Sequence, residues 1–493
     1  MNAIPRTACA SSGNVLQWNR INWQHAQHTV RKLQARIVKA TKEGRRGKVK
    51  ALQWLLTHSQ SGKVLAVKRV TENQGKRTPG VDGEIWATPE AKTRAVLSLS
   101  RRGYTPQPLR RVYIPKTNGT LRPLGIPTMT DRAMQALFLL ALDPVSETTA
   151  DTHSYGFRKG RSTHDALAQC FLVLCRPARS PQWVLEADIK GCFDNISHAW
   201  MLEHIPMDTS VCRKWLNVGM VDRAQWFPTE VGTPQGGIVS PTLANMVLDG
   251  LEHRLACRFP RPRGTAPYPK VKLIRYADDF VITGGTKVIL EQVQEEVAGF
   301  LAERGLSLAP EKTRIVHMSE GFDFLGFNVR TYHGKLLIKP SKDAQRRIHR
   351  HVRRIILGSQ AVTQHDLINW LNPLIRGWAN YYRHVVSKRT FSTLDHVLWK
   401  ALWRWAVRRH PNKGRRWVAK RYFQTFGSRS WVFAGQHDMN QHGNSEWVKL
   451  ISAADTPIRR HVKVKADANP YDPEWSRYFA GRRSVVAGLK TSL

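Results

Sequence analysis

The tetrapeptide Tyr276-Ala277-Asp278-Asp279 most constrains this chain, because two strand-like runs flank it. Val271-Lys272-Leu273-Ile274-Arg275 reads as alternating apolar and polar positions, and Phe280-Val281-Ile282-Thr283 resumes a β-type run. That pattern predicts a hairpin with the two aspartates at its tip. Neighbouring carboxylates repel, so two ionised ones at a turn point to a divalent cation between them. Asp is also a common turn residue, which leaves an ordinary hairpin as the alternative.

The balance of charge narrows the class of partner. Across 493 residues, 77 Lys and Arg face 37 Asp and Glu, a net charge of +40. Such an excess calls for a polyanion. A basic membrane-surface protein is the competitor, but no apolar run of about 18 residues can span a bilayer, so no membrane partner is expected. Residues 1–20 lack the layout of a signal peptide. Six cysteines, none in a Cys-x-x-Cys pair, argue against a zinc site or disulfide framework and for a reducing cytoplasm. A chain of this length expects two to four domains.

Val30, Leu33 and Ile37 share one helical face among Arg31, Lys32, Arg36 and Lys39. The basic face serves either RNA contact or plain solvation beside the next domain. From 109 to 120, LRRVYIPKTNGT predicts a basic β-hairpin, with Lys116 and Arg122 on either side of its turn and a helix capped by Thr130 beyond. Cations on two sides suit a triphosphate, although surface cations are often merely solvated. SYGFRKGRSTHDAL (154–167) places Arg158 and Arg161 before a helix capped by Ser162 or Thr163, a candidate phosphate site. A buried strand from Gln182 leads to Asp188, and Pro234-Gln235-Gly236-Gly237 forms a turn before a helix starting at Ser240-Pro241. Without a Cβ, Gly236 admits a substrate close to the backbone. FDFLGFNV, from 322 to 329, reads as a further strand run.

Beyond Lys339 the composition changes. Ile348, Val352, Ile355 and Ile356 form one helical face, with Arg346, Arg347, Arg350, Arg353 and Arg354 around the rest. From Pro340 to Phe426 there are nineteen Lys and Arg against three Asp and Glu, an excess that packing does not explain and a nucleic-acid face does. Trp399, Leu402, Trp403 and Ala406 fit a helical stripe, which reads as core rather than as a base-stacking platform.

Nucleotidyl transfer needs an activated 3′-hydroxyl and a neutralised pyrophosphate. Two Mg²⁺ ions about 3.5–4 Å apart supply both, and they require carboxylates converging from separate strands. Asp188 and Asp278 meet that need. Strand alternation turns Asp279 to the other side as the weaker ligand, and Asp194 reads as structural.

These residues resemble those of reverse transcriptases encoded by bacterial group II introns, in order over roughly residues 72–425. The matching motifs are IPKTNGTLRPLGIP, SYGFRKGRS, ADIKGCFDNISH, TPQGGIVSPTLAN, RYADD, EKT at 311–313 and FLGF at 324–327. The resemblance implies an α+β right-hand polymerase of fingers, palm and thumb. It divides the chain into a basic helical N-terminal extension (1–60), fingers (61–187), palm (188–338), a helical thumb or X maturase domain (339–426) and a DNA-binding tail (427–493). It makes Asp188, Asp278 and Asp279 the palm carboxylates holding two Mg²⁺. Lys116, Arg122 and Arg110 then hold the dNTP triphosphate. Phe193 excludes a 2′-hydroxyl, Gln235 and Gly236 lie along the new base pair, and Lys312 is a general acid near the leaving group. Arg376 and Arg383 lie in RGWANYYRHVVSKRTF, which is similar to the maturase thumb. With Arg158, Arg161, Arg346, Arg350 and Arg353 they are the candidate RNA contacts. The implied partners are the intron RNA, an RNA template with a DNA primer, dNTPs and a DNA target, in a bacterial cytoplasm. Many relatives continue into an HNH endonuclease with paired cysteines. None is visible here, so DNA cleavage is not expected and the primer source stays open. A retron, phage-defence or domesticated enzyme, or a splicing chaperone that no longer polymerises, remains as an alternative.

Overall fold

The computed structural model describes residues 16–115, 119–176, 179–223, 225–261, 268–436 and 447–482. Lys116 and the Asn118 side of its turn lie outside them. Three N-terminal helices, Trp23–Lys42, Arg46–His58 and Gln60–Thr71, pack around the long helix Met129–Thr149. Val30 and Ile37 are buried against Leu52, Leu56, Ala141 and Val145, so the apolar stripe is a packing face. Arg31, Lys32, Arg36 and Lys39 remain exposed. The helix Met129–Thr149 starts earlier than Thr130 would place it, because Thr128 accepts the backbone N–H of Asp131 and caps it.

The central sheet is antiparallel and runs in the order Lys272–Tyr276, Asp279–Gly284, Trp183–Ala187, Arg314–His317. Leu185, Leu273, Phe280 and Ile282 face one core with the helix Lys287–Ala302. Val184, Ile274 and Val281 face another, with the helix Thr163–Leu174. Both faces are covered, so the expected apolar–polar alternation of 271–275 fails: Leu273, Ile274 and Arg275 are all buried. A second sheet carries the ribbon Leu109–Pro115 against Leu121–Ile126, with Arg110, Ile114 and Arg122 on one face. The run 322–329 is two strands, not one. Leu325 and Gly326, both at positive φ, turn Phe322–Phe324 back onto Phe327–Tyr332.

Four helices, Lys342–Gly358, Gln364–Tyr382, Lys388–Arg409 and Arg415–Tyr422, form the C-terminal bundle around Val352, Ile356, Leu371, Leu398 and Leu402. Beyond it, residues 452–472 form a strap. Asp395 accepts the N–H groups of Ala453 and Ala454, and Arg459 N–H donates to the carbonyl of Arg383. Farther on, Asp165 accepts Val464 N–H, and Asp143 accepts the Tyr471 hydroxyl. Asp472 meets Lys42 of the first helix. A segment read as a DNA-binding tail therefore spends many of its polar groups on its own chain. Among the described residues no helix is long and apolar enough to cross a membrane.

Candidate active site

Asp188 follows the strand Trp183–Ala187 directly, and its carbonyl is held by Ala309 N–H at 2.8 Å. Asp278 sits in the two-residue turn between the hairpin strands, with Ala277 at φ +59°. Gly156 packs onto this turn. A Cβ there would lie 2.2 Å from Ala277 N, so any side chain would displace the hairpin tip. Asp279 opens the second strand opposite Tyr276.

Asp188, Asp279 and Lys312 line one cleft of about 410 Å³. Burial raises the Asp278 carboxyl, as does the charge of Asp188, while Arg122 and Lys312 oppose the rise. Burial, then Asp278 and Asp188, push Asp279 to about 6. Asp188 and Lys312 act on both carboxyls, and Asp279 lines the cleft together with Glu186. Both still lie within the field of Asp188, which brings Asp279 closer to the site than a remote ligand. Lys312 donates to Asp188 Oδ2, a contact that holds its ammonium charged above the usual range. Asp278 and Asp279, both raised by burial and by the charge of Asp188, form with it the donor set a hard divalent cation relieves. Among the described residues no three His, Cys, Asp or Glu close a metal cage unaided. Mg²⁺ typically takes one or two carboxylates and completes its shell with water and phosphate oxygens.

The turn before the helix Ser240–Leu248 is fastened to the ribbon that carries Arg122. Gly125 N–H donates to Gln235 O at 2.8 Å, and Gly236, at φ +116°, has Gly125 O where a Cβ would come within 2.9 Å. The Gln235 amide donates to the Asp194 carboxylate at 3.2 Å, so Asp194 orients Gln235. Phe193 belongs to the same unit: its carbonyl accepts Thr233 N–H, and its ring meets Phe157 edge-on at 6.3 Å. Arg110 is committed elsewhere, donating twice to Pro79 O at 3.1 and 2.8 Å. Through Nε and Nη2 it braces the ribbon against Pro79.

Arg158 and Arg161 do not form a phosphate site. Both guanidinium groups are buried on Glu147, and Arg161 also donates to Ala466 O. The N-terminus of the helix Thr163–Leu174 is closed by its own capping box, with Asp165 in turn taken by His461, Val464 and Arg482. Arg346, Arg350 and Arg353 are exposed along a groove with Arg354 and Leu357, and Arg376 is exposed. Arg383 is half-buried beneath the strap, with Nη1 on Asn380.

Sequence reasoning missed Arg275, one residue before the tetrapeptide. It is fully buried, pairs with Asp249, and donates to Asn245 Oδ1 at 3.2 Å and Ala277 O at 3.4 Å. The failed alternation at Leu273-Ile274 is the signal that this arginine points inward. Phe157 was missed as well. Its left-handed φ of +59° presents a half-exposed ring to Phe193.

Three family models match consecutive parts of the chain. Residues 18–99 match the N-terminal domain of reverse transcriptase, 114–329 the reverse transcriptase (RNA-dependent DNA polymerase) and 345–423 the group II intron maturase-specific domain. Protein YkfC of Escherichia coli is 35% identical over 313 residues, covering 55% of this chain and 82% of that protein. The group II intron-encoded protein LtrA of Lactococcus lactis is 30% identical over 355 residues, 59% of either chain. These matches cover the carboxylates, the ribbon and the basic bundle, and they bring divalent-metal dependence and RNA binding with them. The chain belongs to the reverse transcriptase–maturase family encoded by group II introns.

Proposed function

We propose that the chain extends a DNA primer with dNTPs along an RNA template using two Mg²⁺, grips group II intron RNA through its basic bundle to assist splicing, and copies that RNA into a DNA target within the bacterial cytoplasm. One observation carries the reading. Asp188, Asp278, Asp279 and Lys312 converge, while the ribbon bearing Arg122 and the Gln235–Gly236 turn are bonded together beside them.

Each residue has a part that follows from its surroundings. Bound Mg²⁺ would activate the primer 3′-hydroxyl and neutralise the leaving pyrophosphate. Arg122 offers a charge-assisted fork to the triphosphate from the side of Asp278. Lys312, kept protonated by Asp188, enters the cycle with a proton to give the leaving group. Asp194 fixes the Gln235 amide along the nascent pair, and Phe157 supports the ring of Phe193. RNA-templated extension of a DNA primer tests the first part. Preference for the intron transcript over unrelated RNA of equal length tests the second. No extension in Mg²⁺ removes the polymerase reading.

Two further outcomes follow. Phe193→Val opens space at the sugar and should lower discrimination against NTPs on the order of 100-fold, about what one added hydroxyl is worth to a pocket. Single-nucleotide incorporation with dNTP and NTP measures this, and unchanged selectivity assigns the gate elsewhere. Replacing Arg346, Arg350 and Arg353 with Gln should weaken intron binding and flatten its log–log salt dependence, by about 0.7–0.9 for each phosphate left without its cation. Binding isotherms across a salt series would show an unchanged slope if that helix faces no RNA.

A further inference from the structure

The helical spacing that makes Trp399 and Trp403 look like core is misleading. Trp399 is 36% exposed, and the two indoles lie parallel at 6.1 Å on an open side of the bundle. Trp431 completes the group from the following hairpin. It stands edge-on to Trp403 at 5.8 Å and is 50% exposed. Its backbone holds φ +61°, a left-handed conformation that costs a bulky side chain energy, close to where the strand register slips between Gln424 and Phe426. Phe423 forms the floor at 5.8 Å from both Trp403 and Trp431.

Trp403, Phe423 and Trp431 line a cleft of about 530 Å³, rimmed by Arg415, Arg416 and Lys420 and without a single Asp or Glu. An aromatic wall with a cationic, acid-free rim suits a ligand that has a flat ring and an anion a few ångströms apart. A nucleotide has that composition, and only an unpaired one has a free ring face. Trp399, Trp403, Phe423 and the three cations fall within the stretch that matches the maturase-specific domain. The occupant is therefore assigned to RNA, an assignment that rests on the RNA-binding reading above.

We infer that this cleft holds one unpaired nucleotide of bound RNA, its base packed on the Trp403–Trp431 indoles and its phosphate on Arg415, Arg416 and Lys420. The cleft thereby distinguishes looped from helical RNA, which the arginines of the helix Lys342–Gly358 do not.

The test compares a short labelled oligouridylate with a blunt RNA duplex of equal length, titrated by fluorescence anisotropy against the full chain. Trp431→Ala should weaken the single strand about 5- to 150-fold, the range of one base–aromatic stack. Duplex binding and primer extension should hold, and Trp431→Phe should keep most of the affinity. A 5-iodouridine oligomer should photocrosslink within the cleft. Arg416→Gln, an exposed change with no bearing on folding, should lower single-strand affinity in the same selective way. Equal losses on single strand and duplex, no loss at all, or crosslinks confined to other segments overturn the inference. So does tighter binding of an oligothymidylate than of the oligouridylate, or displacement of the RNA by an acidic peptide. A wild-type chain that binds the oligouridylate through Trp431 yet extends no primer would sink the polymerase reading and leave this one standing.

Discussion

Asp278→Asn should abolish RNA-templated DNA synthesis, lowering kcat on the order of 1000-fold or more. A hard cation contributes several kcal/mol of charge stabilisation at a phosphoryl centre, and each 1.4 kcal/mol is roughly tenfold in rate. The amide keeps the size of the turn residue but carries no charge. It also relieves repulsion, because burial and Asp188 both raise the Asp278 carboxyl in the folded chain. Folding should therefore be unharmed, and RNA affinity should stay at the wild-type value. Steady-state extension in Mg²⁺, with a melting curve beside it, checks both halves. Robust extension by the variant would take Asp278 out of the metal site. Asp279→Asn should lose less, since Asp279 opens the second strand opposite Tyr276 while Asp278 occupies the turn at the tip.

Arg275→Met should cost about 3–5 kcal/mol of stability, the toll of removing one partner from a buried pair. Asp249 is fully enclosed and already pushed up to about 7 by burial, against the pull of Arg275. Without the guanidinium its charge has nothing comparable to meet. The sign with pH follows from linkage. The folded value of Asp249 lies above its unfolded value near 3.8, so the folded state holds the extra proton between them. Stability from this group is present at low pH and is lost as pH rises through that window. The variant, with Asp249 raised further, should be least damaged near pH 5 and most damaged near pH 8. Arg275→Met combined with Asp249→Asn should recover part of the loss. Denaturation of Arg275→Met, Asp249→Asn and the double variant at the two pH values measures the coupling, and additive losses would mean the pair is not the cause.

Local chemistry wrote much of this molecule plainly. Ser162, Ser197 and Ser341 cap helices where their short polar side chains announce a start. The hairpin at Ala277-Asp278 and the strand before Asp188 follow from β-branched runs around turn residues. What stayed hidden depends on partners distant in the chain. A guanidinium looks the same in sequence whether water or Glu147 surrounds it, so Arg158 and Arg161 read as a phosphate site and RNA contacts. Helical spacing places Trp399 and Trp403 on one stripe, yet Phe423 and Trp431, which shape the open cleft, come from beyond the helix. Residues 452–472 show no periodicity because their order comes from single bonds to several separate elements rather than from a repeating apolar face.

That strap has a consequence in time. Lys42 waits for a partner 430 residues away, and Asp143 for one 328 residues away. At about 5–20 residues per second on a ribosome, the first helix exists for roughly 20–90 s before Asp472 is made. The N-terminal helices, the ribbon and the catalytic hairpin are all synthesised in that interval, with the carboxylates of Asp143 and Asp165 still open to water. The basic bundle emerges next and meets the helix Thr163–Leu174 through Tyr381 O and His164, before His461 and Val464 arrive to bond Asp165. Birth of the chain thus passes through a stage in which its RNA-gripping and copying parts are both present while the bonds of the strap to Lys42, Asp143 and Asp165 are still unmade.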